Sequence, residues 1–191
     1  MSYHIDDALL KTLNLKRVER NSGRYQIVIP ERCNIARNTV ERYTREHPEN
    51  TALIFEREDL GTRTWSFDEL EQDASRLAHG LKTLGINRGD RVALHTGMRP
   101  ETGIAHMALH KLGVVAVTLS QLYGPDTLAH ILNHAEAKAI ITQTDAWARF
   151  RSRTDEFETL EHIVVVDGAV GGEIDFIPLT KNGPASLPAL D

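Results

Sequence analysis

Between residues 91 and 166 the sequence alternates short apolar runs with longer amphipathic stretches, and this alternation limits the possible folds more than any other feature. The apolar runs are RVALHT, VVAVTLS, KAIITQT and HIVVVDG. Runs with so few polar residues are typical of parallel strands that are covered on both faces. Helices are predicted between them over 100–112 and 125–134, with a shorter helical turn in DAWARFRSR. The alternation predicts an α/β fold, a doubly wound and mostly parallel sheet with helices on both faces.

A β-hairpin and a long helix are predicted just before the sheet. The hairpin strands are 52–58 and 62–67, separated by the turn residues Asp59 to Gly61. Ser66 followed by Glu69 is a capping box, which marks the start of a helix. That helix carries one apolar stripe, and Gly85 stands where a helix end needs a left-handed residue. The stripe consists of Leu70, Ala74, Leu77, Ala78, Leu81 and Leu84.

Three segments are predicted along the chain: an N-terminal arm (1–30), an α/β subdomain (31–178) and a C-terminal linker or frayed end (179–191). In the arm, RYQIVIP predicts a strand with Tyr25, Ile27 and Ile29 on one face. A helix capped by Asn34 and stopped by Pro48 then opens the subdomain. The stretch PLTKNGPASLPALD (178–191) has three prolines, a glycine and little periodicity, which favours irregular structure.

The composition excludes several classes of function. A net charge of −5 argues against a nucleic-acid binder, which needs a basic surface. The single cysteine, Cys33, allows no internal disulfide and no cysteine zinc cluster, and it fits a cytoplasmic protein. No apolar run approaches the roughly 20 residues of a membrane span, so none is predicted.

The stretch RVALHTGMRPET (91–102) has the strand–loop–helix form that phosphate sites use. It lacks both the G-x-G-x-x-G fingerprint of dinucleotide sites and the lysine of a P-loop. Pro100 has no N–H to donate, although Arg99 could assist an anion at the helix start. The sequence therefore favours a turn at Gly97 and a helix start at Pro100 over a phosphate site.

Two other polar clusters each have a functional and a structural interpretation. His106 and His110 are spaced like zinc ligands, but the glutamate of H-E-x-x-H is absent and packing is favoured, so no metal site is predicted. Arg149, Arg151 and Arg153 follow a predicted strand and could bind an anion at the carboxyl edge of the sheet. They could equally form a solvated helix face, and spacing alone leaves both alternatives open.

Six motifs in order identify a family resemblance. They are TWSFDEL (Thr64–Leu70), LKTLGINRGDRVA (Leu81–Ala93), RPE (Arg99–Glu101), KLGV (Lys111–Val114), GPDT (Gly124–Thr127) and AKAIIT (Ala137–Thr142). Together they resemble the N-terminal region of adenylate-forming acyl-CoA synthetases, in the branch of acetyl-CoA and medium-chain enzymes. The resemblance covers roughly residues 26–167.

The resemblance implies a ligase that joins a carboxylic acid to ATP as an acyl-adenylate and then transfers the acyl group to CoA. ATP, magnesium and CoA are implied for the full-length enzyme, with a role in fatty-acid metabolism. The family's phosphate loop follows a segment like SLPALD, with which this sequence ends. Its other ATP-binding motifs are absent as well. The resemblance therefore implies a truncated chain that holds no cofactor and is not catalytic alone, so no catalytic residue is assigned.

The resemblance also implies a CoA contact within these residues. In the acetyl-CoA synthetase branch, the loop before the G-P helix packs on the CoA adenine, and arginines after the I-T strand meet a CoA phosphate. The matching residues here are Ser120, Gln121, Leu122, Arg149 and Arg151. Acetyl-CoA synthetases have a glycine-rich loop at the first three of these positions, whereas this chain has SQLYG.

Two alternatives stand beside the synthetase interpretation. One is a stand-alone, non-catalytic module that binds CoA or a protein. The other is an unrelated flavodoxin-like domain. A subdomain separated from the rest of a synthetase is also expected to expose apolar surface, through which it could form a homo-oligomer.

Overall fold

The computed structural model describes residues 7–12, 16–19, 25–28, 32–57, 59 and 61–190. The arm contains the helix α1 (Asp7–Thr12) and the strands β1 (Lys16–Glu19) and β2 (Tyr25–Val28), which pair antiparallel. The strand predicted over 24–30 is therefore present as β2. The predicted common face of Tyr25, Ile27 and Ile29 lies outside what is described of those residues.

A helical segment over residues 35–46 follows the arm. It contains a π-helical turn (Arg37–Glu41) and the helix α2 (Arg42–Glu46). Asn34 caps it as predicted, because its Oδ1 accepts a hydrogen bond from the Ala36 N–H at 2.9 Å. The hairpin is also confirmed, as β3 (Thr51–Arg57) paired antiparallel with β4 (Gly61–Ser66).

The long helix α3 (Phe67–Thr83) begins at the predicted capping box. Ser66 Oγ accepts from the Glu69 N–H at 3.2 Å, and the Ser66 N–H donates to Glu69 Oε2 at 2.8 Å. Beyond the helix, Gly85 has a φ of +80°, in the left-handed region that a helix end favours. Among the described residues, no helix is long and apolar enough to cross a membrane.

The main sheet has five parallel strands in the order β6-β5-β7-β8-β9. The chain builds it as β5 (Arg91–His95), α4 (Pro100–Lys111), β6 (Val115–Thr118), α5 (Pro125–His134), β7 (Ala139–Thr142), α6 (Thr144–Ala148), β8 (His162–Val165), β9 (Ile174–Asp175) and α7 (Phe176–Lys181). A 3₁₀ turn (Arg151–Glu156) lies between α6 and β8. The predicted strand–helix alternation is thus confirmed.

Each face of the sheet carries its own apolar core. Val92 and Leu94 of β5 belong to the core shared with α3, α4 and α7, whereas Ala93 between them belongs to the core shared with α5 and α6. This alternation follows from the two-residue period of a strand. Helices therefore cover both faces, as a doubly wound sheet requires. Coverage is incomplete at the edge strand β6, where Val115 is 50% exposed.

The C-terminal residues are more ordered than their composition suggests. The helix α7 runs across the predicted boundary between residues 178 and 179. Residues 187–190 form hydrogen bonds with the helical segment 35–46, α3 and α4, and Ala189 is buried. A frayed end does not describe this stretch, because its backbone is bound to the domain. The predicted domain boundaries remain predictions.

Candidate functional site

The strands β5 and β7 are neighbours in the sheet, and the chain continues from their ends to opposite faces of the sheet. The helix after β5 is α4, on the face of α3, and the helix after β7 is α6, on the other face. Open α/β sheets bind ligands at such a switch point, beyond the carboxyl ends of the strands. We call this site the crevice. Three loops border it, after β5 (Gly97, Met98, Arg99), after β6 (Gln121) and after β7 (Gln143).

A cleft of about 640 Å³ opens from the crevice toward the hairpin. Phe55 of β3 and Trp65 of β4 form part of its wall. The guanidinium of Arg63 lies over the Trp65 ring at 4.0 Å from the ring centroid, in a cation–π contact. The cleft therefore combines aromatic side chains with charged ones, as sites for organic anions do.

Gln143 holds the crevice loops together. Its Oε1 accepts hydrogen bonds from the Gly97 N–H at 2.8 Å and from Gln121 Nε2 at 2.6 Å. Because a backbone N–H can only donate, the atom facing Gly97 must be the oxygen, which fixes the amide orientation. A Cβ at residue 97 would lie 3.0 Å from Gln121 Oε1 and 3.2 Å from Gln143 Oε1. The close approach of the two glutamines thus explains the glycine.

A buried histidine, His95, is the last residue of β5, just before one of the crevice loops. Thr142 Oγ1 donates its one proton to the His95 carbonyl at 3.1 Å, so it can only accept from His95 Nδ1, also 3.1 Å away. The ring meets Phe150 edge-on, with centroids 5.7 Å apart. Burial lowers the pKa of His95, and the positive charge of Arg149 lowers it further. Thr142 and Phe150 therefore fix the His95 ring, and its lowered pKa favours the neutral form.

The loop after β5 is not built as a phosphate site. The Gly97 N–H is occupied by Gln143, and Pro100 begins α4 without an N–H. Arg99 is held by two carboxylates, with its Nε 3.1 Å from Glu101 Oε2 and its Nη1 3.7 Å from Asp167 Oδ2. These contacts match the turn and helix start favoured by the sequence.

Arg149 contacts the loop after β6, which the resemblance assigns, like Arg149, to CoA. Its Nη2 donates to the Gln121 carbonyl at 2.8 Å, which brings the arginine beside residues 120–122. Arg149 is exposed, and within the described part of the chain no carboxylate pairs with it. Its other N–H donors are consequently available to an anion.

Arg151 and Arg153 differ from Arg149 because carboxylates bind their guanidinium groups. Arg151 Nε and Nη2 lie 2.8 and 2.6 Å from Glu173 Oε1. Arg153 is bound by Glu156 and Asp126. The structure thus brings together Arg149 and the loop Ser120–Leu122, whereas Arg151 is held by the turn before β9.

Sequence reasoning missed Gln143, His95 and Asp167, although each carries a usable signal. Each is a polar residue at the carboxyl end of an apolar strand or just after it, and all three ends lie at one edge of a parallel sheet. His106 and His110 do stack, with ring centroids 5.9 Å apart, and burial lowers the pKa of both. In the described ranges no group of three or more His, Cys, Asp or Glu residues could hold a metal ion.

The chain matches the family model described as AMP-binding enzyme over residues 40–183. The acetyl-coenzyme A synthetase of Escherichia coli (strain K12) is 29% identical over 155 residues, or 75% of this chain and 24% of that protein. That of Methanothrix thermoacetophila is 32% identical over 172 residues, or 81% of this chain and 26% of that protein. The chain thus spans about a quarter of the length of the curated relatives it matches.

Two solved structures have a similar fold. An anthranilate CoA ligase in complex with anthranoyl-AMP has a TM-score of 0.77 at 28% identity, over 85% of this chain and 30% of that one. A Brucella canis acyl-CoA synthetase has a TM-score of 0.72 at 21% identity, over 82% of this chain and 29% of that one. The family match includes every strand of the main sheet and all the loops of the crevice.

Proposed function

The chain belongs to the AMP-binding enzyme family, and from that membership we propose that it is the N-terminal portion of an ATP-dependent acyl-CoA synthetase. Such an enzyme converts a carboxylic acid, ATP and CoA into acyl-CoA, AMP and pyrophosphate. Relatives that carry the name acetyl-coenzyme A synthetase support the reaction class. Family membership excludes the alternative of an unrelated flavodoxin-like domain.

The CoA part of this proposal rests on the exposure and the unused hydrogen-bond donors of Arg149. It is an exposed cation at the carboxyl edge of the sheet, and its one hydrogen bond in the described residues goes to the Gln121 carbonyl. A guanidinium can bind a phosphate through two parallel N–H donors. We therefore assign Arg149 to a phosphate of CoA and the loop Ser120–Leu122 to its adenine. Arg151 is assigned a weaker role, because Glu173 already occupies it.

The ATP-dependent step is assigned to protein outside these 191 residues. Attack of a carboxylate on the α-phosphate of ATP, which releases pyrophosphate, depends on preorganised charge around that phosphate, and the phosphate-loop sequence of the family is not among these residues. We expect the purified 191-residue chain to show no ATP–pyrophosphate exchange with any carboxylic acid above a mock preparation. Exchange above that background would contradict the proposal.

The CoA assignment is tested in the full gene product by replacing Arg149 with glutamine. The apparent KM for CoA should rise at least about ten-fold, because a charged hydrogen bond to phosphate contributes roughly 1.5–3 kcal/mol. The rate of ATP–pyrophosphate exchange, which needs no CoA, should stay unchanged. The two assays thereby separate thioester formation from adenylation.

Arg153→Gln is the matched control. Arg153 lies on the same stretch of chain, but its guanidinium is bound by Glu156 and Asp126, so neither assay should change. An equal loss of both half-reactions in Arg149→Gln would argue that Arg149 is structural. If the 191-residue chain binds CoA and the full gene product shows no exchange activity, the stand-alone binding module would be the better interpretation.

Location and assembly remain proposals. The exposed, free Cys33 supports a reducing cytoplasmic compartment. Exposed apolar side chains support self-association of the isolated chain, among them Ile54, Met98, Val115 and Leu122. Sedimentation of the 191-residue chain at increasing concentration tests this, and a monomer at all concentrations would contradict it.

A further inference from the structure

Residues 187–190 have no helical or strand structure, yet remote residues bind their backbone. We call them the strap. Three of their N–H groups donate hydrogen bonds: Leu187 to Ser75 Oγ, Ala189 to Glu41 Oε1 and Leu190 to the Lys111 carbonyl. Three of their carbonyl groups accept hydrogen bonds: Leu187 from Lys111 Nζ, Ala189 from Arg37 Nη2 and Leu190 from Asn34 Nδ2. The five side chains among these partners lie 76 to 156 residues away in sequence. We call those side chains the clamp.

Lys111 is the centre of the clamp. Its side chain is completely buried, and its Nζ lies 2.6 Å from Glu41 Oε1, 2.6 Å from Glu71 Oε1 and 2.7 Å from the Leu187 carbonyl. An ammonium has three N–H donors, so the protein uses all three. One of the three acceptors belongs to the strap, and the buried charge is fully hydrogen-bonded only while the strap is docked.

The clamp residues also bind one another, which links the strap contacts. Glu41 Oε1 accepts from both Lys111 Nζ and the Ala189 N–H, each at 2.6 Å. Ser75 Oγ accepts from the Leu187 N–H at 3.2 Å and donates to Glu71 Oε1 at 3.1 Å. Loss of one strap contact therefore disturbs the side chain that makes the next, and the contacts should break together.

Apolar packing of the strap is small. Ala189 is its one fully buried side chain, Leu187 is partly buried at the margin of the core, and Leu190 is 43% exposed. Hydrogen bonds exchange with water at a small net free energy, whereas buried apolar area resists exposure. A segment held mainly by hydrogen bonds can thus leave without opening the apolar cores.

We propose that residues 187–190 are a strap that docks on the clamp and leaves it as one unit while the sheet remains folded. The chain beyond α7 then has two states, one fixed against α3, α4 and the helical segment 35–46, and one free. Whatever follows the strap in the polypeptide is positioned only in the docked state.

Amide hydrogen exchange of the 191-residue chain, read residue by residue by NMR, tests the proposal. The Leu187, Ala189 and Leu190 amides should share one protection factor. That factor should be well above that of an exposed amide and at least about ten-fold below that of Ile140 and Ile141 in β7. Strap amides that exchange as slowly as those of β7, or as fast as unstructured ones, would overturn the proposal.

Ala189→Glu and Asn182→Glu form a matched pair of variants. The first places a carboxylate beside Glu41 at the buried strap position, and the second places the same group at an exposed position before the strap, in a surface pocket lined by no carboxylate. Ala189→Glu should speed the exchange of Leu187 and Leu190 about ten-fold or more and leave β7 unchanged, while Asn182→Glu should change neither. An Ala189→Glu chain that loses protection in β7 as well, or that does not fold, would show that the strap is not a separate unit.

Discussion

The crevice and the clamp both join segments that are far apart in sequence through polar side chains, but they differ in what remains available to a ligand. In the clamp, all three donors of the buried Lys111 are used by the protein itself. In the crevice, the exposed Arg149 gives one hydrogen bond to a carbonyl and keeps its other donors. Breaking a buried and fully paired charge destabilises the fold, whereas an exposed charge with unused donors can bind a ligand.

Replacing Lys111 with methionine should cause the largest loss of stability, because the clamp holds the fold together. The substitution leaves Glu41 and Glu71 partly buried without their cation, which costs about 3–5 kcal/mol for a broken buried pair. Urea unfolding followed by circular dichroism measures the loss. The comparison would fail if the variant were as stable as the parent.

Lys138→Met is the control for that experiment. Lys138 also pairs with carboxylates and donates to the Gly85 carbonyl at 2.8 Å, but its side chain is 26% exposed. Exposed ion pairs contribute about 0–1 kcal/mol, so this variant should lose little stability. A loss as large as that of Lys111→Met would show that burial is not what separates the two lysines.

Gln143→Leu tests the crevice with a smaller expected effect. The side chain keeps its approximate size but no longer accepts from the Gly97 N–H and from Gln121 Nε2. The loss should be about 1–2 kcal/mol, because partly buried donors are left without partners. Urea unfolding measures it, and amide exchange at Gly97 should rise.

Gln143→Glu is the matched variant, since a carboxylate retains the acceptor oxygens. It should remain near the parent in stability at neutral pH and keep the Gly97 amide protected. If glutamate were as damaging as leucine, the two hydrogen bonds would not be what holds the crevice loops together.

Local patterns predicted the sheet, the hairpin and the capping box, because each depends on residues within a few positions of one another. The clamp could not be predicted this way, since Glu41, Ser75 and Lys111 lie in separate helical segments and resemble ordinary polar surface positions. The prolines and the lack of periodicity in the tail correctly indicated that residues 187–190 form no helix or strand. It did not show that remote side chains would bind their backbone.

The crevice was predictable only in part. The family resemblance assigns both Arg149 and Gln121 to CoA, which stays a prediction; the structure shows that the two residues are in contact. Gln143 was missed because its role depends on the register of β5 beside β7, which places Gly97 within reach. The assignment of Arg151 took no account of Glu173, which occupies its guanidinium from a distant turn.

The smallest expected effect concerns Glu71, which binds Lys111 beside Glu41. Burial raises the pKa of Glu71, and the attraction of Lys111 opposes that rise only in part. A carboxyl whose folded-state pKa lies above its unfolded value binds its proton more tightly in the folded state. Its contribution to stability is therefore fully present below the unfolded pKa and is lost as pH rises through the folded pKa.

Glu71→Gln should remove that loss, because the amide keeps an oxygen for Lys111 and carries no charge. The free energy of unfolding of Glu71→Gln minus that of the parent should rise, by less than about 1 kcal/mol, when the pH is raised from roughly 4.5 to 7. Urea unfolding of both proteins at the two pH values measures this double difference, in which titrations shared by both proteins cancel. A relative loss for Glu71→Gln on going to pH 7 would mean that ionised Glu71 stabilises the clamp, and the cluster would then need both negative charges to hold its one buried lysine.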